Sequence, residues 1–130
     1  MAQLNFHNNF SQVSPPQGQF SLSLIQKLVQ SYKTWHNFLP NFSKNSRYTI
    51  GTKIDSLFLE IIESIIRAAY SDKLEKLISL KNASLKLDLL KFFLQISWEI
   101  KSLDNKKYLF LSEKLDEIGK MLGGWIKVLK

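Results

Sequence analysis

The sequence reads as an all-α chain folded into an antiparallel four-helix bundle, on three observations. Apolar residues recur at spacings of three and four in four successive segments. Short polar links join these segments, which favours antiparallel neighbours. No stretch alternates apolar and polar residues with the period of two that marks a half-buried strand. At 130 residues, 45% of them hydrophobic, the chain is one ordinary domain with enough material for a real core.

Residues 1–19 are rich in Asn, Gln, Ser and Pro and lack a sustained apolar period, so they read as a disordered tail ahead of a bundle domain at residues 20–130. The first helix is expected from Leu22 to Leu39, with Leu22, Ile25, Leu28, Val29, Tyr32, Trp35 and Leu39 at mixed helical spacings. Ser23 and Gln26 have capping-box spacing, and Pro40 stops the helix. A second helix covers about Tyr48 to Ser71. Ile54, Leu57, Ile61, Ile65 and Ala68 form its core seam, opposed by a polar arc of Lys53, Ser56, Glu60, Glu63, Ser64 and Arg67. Asp72 and Glu75 repeat the capping-box spacing and open a third helix that runs to about Leu103. Its seam is read as Leu85, Leu89, Phe92, Ile96 and Ile100; a weak period near Ile78 leaves open whether it continues through Asn82, Ala83 and Ser84. The fourth, Lys107 to Leu129, is the most regular, with Tyr108, Leu111, Leu115, Ile118, Leu122, Trp125 and Leu129 on one seam.

Two helices carry more apolar surface than one core uses. Leu59, Ile62, Ile66 and Tyr70 form a second stripe on the second helix, turned away from its seam. On the third, Leu80, Leu87, Leu94 and Trp98 lie nearly opposite the assigned seam. These eight residues are the expected subunit interface, because large apolar patches on soluble proteins mark interaction sites and obligate interfaces resemble a core cut in half.

Catalytic chemistry is poorly supplied. There is no cysteine, hence no thiolate metal site and no disulfide, and a reducing cytoplasm is the expected compartment. The two histidines, His7 and His36, stand apart in sequence. Glu63 with Arg67 and Asp116 with Lys120 have the spacing of solvated ion pairs, and no glycine-rich phosphate loop follows a strand. No metal, cofactor or enzymatic activity is expected, and neither a transmembrane segment nor a signal peptide can be read.

Charge is more informative. Eighteen Lys and Arg against eleven Asp and Glu leave +7, which favours an anionic partner. Lys73, Lys76, Lys91 and Lys101 fall within an arc of about 80° on an ideal third helix, and Lys120 and Lys127 share a face of the fourth. Such rows can follow a phosphate backbone without reading bases.

Two stretches carry a family resemblance: "RYTIGTKI" leading into "LFLEIIESIIRAAY", and the closing "LSEKLDEIGKMLGGWIK", with "LKLDLLKFFLQISWEIKSL" between them. Together they resemble the accessory variability determinant proteins of diversity-generating retroelements. The resemblance implies a ring-shaped homopentamer of four-helix bundles that binds RNA and DNA. It also implies a reverse transcriptase partner and a supporting role in mutagenic copying of a template-repeat RNA into cDNA. That family is related to four-helix proteins encoded in intervening sequences of bacterial ribosomal RNA genes; an RNA-associated or structural protein of that group, without a polymerase partner, is the alternative. In the closing motif Gly119 and Gly123 are four apart beside the core seam. Their missing side chains are expected to admit a neighbouring backbone, since an interior glycine otherwise costs a helix about 1 kcal/mol.

Overall fold

A computed structural model describes residues 15–130, with side chains from Ser21 onward. Four long helices, α1 (Pro15–Phe38), α2 (Thr52–Ala69), α3 (Lys73–Glu99) and α4 (Asn105–Leu129), account for most of it, and no strand occurs among the described residues. Each helix packs on the next and α4 closes back on α1. The short links make neighbours antiparallel, so the ends of α1 and α3 meet the starts of α2 and α4.

Local chemistry explains most of the boundaries. Proline suits a first helical position, and α1 begins at Pro15, well before the expected start at Leu22. Ser23 and Gln26 therefore lie inside α1 and do not cap it. The helix takes in the end of the segment read as a tail, whose residues 1–14 lie outside the described residues. After Phe38 the chain tightens into a 3₁₀ turn, Leu39–Asn41, with Pro40 in its first turn. The Asp72 carboxylate accepts the Glu75 N–H at 3.0 Å at the start of α3, and Asp104 accepts that of Lys107 at 2.9 Å at the start of α4. The bond from Lys107 holds the Asp104 carboxyl below its ordinary pKa. α3 runs unbroken through Asn82, Ala83 and Ser84.

Between α1 and α2 lies a tightly packed corner. A single helical turn, Lys44–Ser46, leads into a π-helical turn, Arg47–Gly51, which continues directly into α2. The Arg47 guanidinium donates to the carbonyls of Pro40 at 3.1 Å and Phe42 at 3.2 Å, tying the turn to the preceding loop. A β-carbon at Gly51 would stand 2.9 Å from Leu39 Cδ1 and 3.2 Å from the Ser46 carbonyl oxygen, so this glycine leaves room for the Leu39 side chain against the π turn. The "RYTIG" of the first motif is this corner.

The seams of α2 and α4 point inward as expected, with Ile54, Ile61, Ile65, Leu111, Leu115 and Trp125 fully buried. Trp35 of α1 lies between Phe42 and Phe58, and its indole N–H donates to the Asp55 carboxylate at 3.1 Å. Ser64, assigned to a polar arc, is instead buried and accepts from the Asn82 amide at 3.4 Å.

On α3 the two apolar faces are exchanged relative to the expectation. Leu80, Leu87 and Leu94, assigned to an interface, form the core face together with Ala83, Leu90 and Ser97. Leu85, Leu89, Phe92 and Ile100, read as seam, are exposed, and Ile96 is half-buried. Both stripes have helical period, so the period alone cannot choose between them. Small side chains at Ser79, Ala83 and Ser97 lie on the buried side, where they admit the neighbouring helices, and they broke the apolar pattern there.

The glycines of α4 also depart from expectation. A β-carbon at Gly119 would meet Leu87 and Lys91 side chains at an ordinary 3.5 Å, and one at Gly123 would find nothing within 4 Å. Among the described residues no neighbouring backbone comes within 4 Å of either position.

Candidate functional site

Two surfaces remain after the core is assembled. One is the outward side of α3, where Leu74, Ile78, Leu85, Leu89 and Phe92 are exposed along a line diametrically opposite the buried Leu80, Leu87 and Leu94. Spacings of four, seven, four and three give this line the character of a helix-packing seam with nothing packed on it among the described residues. On α2 the second stripe is less complete: Leu59 and Tyr70 are exposed, but Ile62 and Ile66 lean against the core. Trp98 lies off the line altogether, at the end of α3 beside α4, where it is partly exposed.

The other surface is basic, and it differs from the predicted rows. Lys76 turns into the core face, only 5% exposed, and burial pushes its ammonium below the ordinary pKa; it is withdrawn as a phosphate contact. Lys91 spans to Asp116 of α4 at 3.1 Å, so Asp116 bonds across the helices and not to Lys120. Lys101 stands beyond the end of α3, with φ of 67°, and does not continue the helical arc. Lys73, Lys120 and Lys127 are exposed and form no ion pair with the described residues. Lys73 and Lys127 lie toward one end of the bundle, where α3 begins and α4 finishes, and Lys120 stands nearer the middle, next to Gly119, which is level with Leu87 and Lys91 of α3. At the opposite end the turns expose Lys44, Lys101 and Lys106. Two of these, Lys44 and Lys106, belong to no helical row and carried no periodic signal.

Three further cations are paired. Lys27 bonds to Glu117 at 2.8 Å, joining α1 to α4, and Lys86 bonds to Glu60 at 3.2 Å, joining α3 to α2. Arg67 meets Glu63 at 3.4 Å, as their spacing suggested. No three His, Asp or Glu side chains come together as a metal-binding set among the described residues, and no described helix is long and apolar enough to cross a membrane.

A family model described as bAvd-like matches residues 22–129, nearly the whole bundle. The chain belongs to the bAvd-like family. No curated protein and no solved structure matches it. Membership makes the chain an Avd-type accessory protein, and the matched span includes the Gly51 corner, the outward seam of α3 and the lysines of α4.

Proposed function

We propose that this bAvd-like protein is the non-enzymatic accessory of a diversity-generating retroelement. It assembles as a homo-oligomer, a pentamer by family resemblance, binds RNA and DNA mainly through phosphates, and partners the element's reverse transcriptase during mutagenic copying of template-repeat RNA into cDNA. The observation that carries this reading is the family match over residues 22–129. Two features support it. The outward seam of α3 is the kind of surface that a second subunit covers, and Lys73, Lys120 and Lys127 give a surplus of positive charge that no described carboxylate neutralises.

Co-expression with the reverse transcriptase of the same element tests the reading directly: the two should co-purify, and the complex should hold RNA. Binding should weaken steeply with salt. In Lys73→Glu/Lys120→Glu/Lys127→Glu the slope of log K against log salt should fall by roughly one unit for each phosphate no longer bound. Light scattering should give a mass several times 15.1 kDa, which Leu85→Lys/Phe92→Lys should return to the monomer. A wild-type monomer that neither binds RNA nor retains the polymerase would overturn the proposal.

A further inference from the structure

The turn between α3 and α4 has features that phosphate binding does not require. A cavity of about 580 Å³ opens there, lined by Trp98, Glu99, Lys101, Leu103, Asp104 and Asn105. Its volume is in the range that small ligands fill. Trp98 is 39% exposed, yet it is held firmly. Tyr108 stacks on it with centroids 5.3 Å apart and planes 13° from parallel, and its indole N–H donates to the Asn105 side-chain oxygen. Tyr108 is not part of the cavity lining, so it backs the indole and leaves the remaining indole surface to the cavity.

Lys101 supplies the second, independent observation. The end of α3 is a Schellman turn, with the Lys101 N–H donating to the Trp98 carbonyl at 3.0 Å and the Ser102 N–H to that of Ser97 at 2.9 Å. Such a turn favours glycine at the left-handed position, and here Lys101 occupies it, the one non-glycine residue with positive φ among those described. A residue serving only to end the helix would be better as glycine. A charged side chain in that place sets a cation on the wall of an aromatic cavity. The neighbouring turn is tied in by the Ser102 and Ser46 hydroxyls, 2.8 Å apart, which brings Lys44 to the same end.

We infer that this cavity receives an unpaired base of single-stranded nucleic acid, stacked on Trp98, with its flanking phosphates at Lys101 and Lys106. The inference rests on the nucleic-acid reading above and adds to it a base contact and a preference for single strands. Stacking on an aromatic platform is open to every unpaired base and closed to bases inside a duplex. The carboxylates of Glu99 and Asp104 on the wall repel phosphate but accept from exocyclic amines, which favours adenine over uracil. Asp104 is itself engaged with Lys107, 3.6 Å away.

Trp35 and Trp125 are fully buried, so a ligand that quenches tryptophan emission reports Trp98. Titration with a single-stranded oligoadenylate should quench emission in a saturable way. The duplex of that strand with oligouridylate, and free adenosine monophosphate, should do so much more weakly. By anisotropy of the labelled strand, Trp98→Ala should bind about 5- to 150-fold more weakly, while Trp98→Phe retains most of the affinity. Lys101→Gly should melt at a higher temperature and bind the strand less tightly, a pair of changes that a purely structural lysine would not produce. Wild-type affinity in both Trp98→Ala and Lys101→Gly would overturn the inference and leave phosphate binding standing. Failure of every nucleic acid to bind would overturn both, and tight binding of adenosine monophosphate alone would assign the cavity to a free nucleotide and overturn the strand.

Discussion

The corner at residues 39–51 and the outward side of α3 and α4 use similar materials to opposite ends. The corner is closely packed: Gly51 lies against Leu39, two carbonyls accept from the Arg47 guanidinium, and Phe42 packs edge-on against Trp35. On the outward side Leu85 and Phe92 are exposed, Phe92 edge-on to its neighbour Phe93, and Gly123 has open space among the described residues where a side chain could stand. A glycine or a leucine stripe thus has two origins, one in the subunit's own packing and one facing out of it. Residues unexplained by the first are where assembly should be sought.

The inner and outer faces of α3 should respond most differently to substitution. Leu87→Ala, on the buried face, should lose about 2–5 kcal/mol in chemical denaturation, whereas Leu85→Ala, two residues earlier on the outward face, should change the isolated subunit by about 0.5 kcal/mol or less. The reverse ranking would mean that the helix is rotated. At the corner, Gly51→Ala should cost about 1–3 kcal/mol by overpacking against Leu39 and the Ser46 carbonyl.

Gly123→Ala sharpens the contrast, because it should add about 1 kcal/mol to the subunit through helix propensity. A loss that grows with protein concentration would instead place a neighbouring subunit against it. The smallest effect lies on the inner side of α1. Burial, followed by the bond to Asp55, pushes the Tyr32 hydroxyl up to about 12. The unfolded chain therefore ionises this tyrosine first. Its contribution is complete below about pH 10 and is lost as pH rises toward 12, and Tyr32→Phe should remove that alkaline loss from a pH series of melts.

Period alone located the helices and oriented α2 and α4, because each has one dominant apolar face with charged residues opposite. It could not orient α3, where two leucine stripes of equal period compete and small residues mark the inner one. The same limitation misplaced Lys76: spacings of four, three and four from Lys76 to Leu80, Ala83 and Leu87 put it on the inner face once that face is known. The corner was visible as a motif but not as a π turn, since nothing in "RYTIG" distinguishes five-residue from four-residue hydrogen bonding. Lys101 reads as helical in the sequence because the stop at Glu99 is made by a lysine in the place where glycine would announce it.

The closure of α4 on α1 sets an order of events during synthesis. α2 and α3 can pair as soon as both exist, but the inner face of α1 needs α4, the fourth of these helices to be made. Lys27 must wait for Glu117, and at about 5–20 residues per second that gap is on the order of 5–20 s. During that interval Leu24, Leu28 and Trp35 lack the cover of α4 and have chiefly α2 and, for Trp35, Phe42 of the corner, so α1 is the helix that a chaperone would find on the nascent chain.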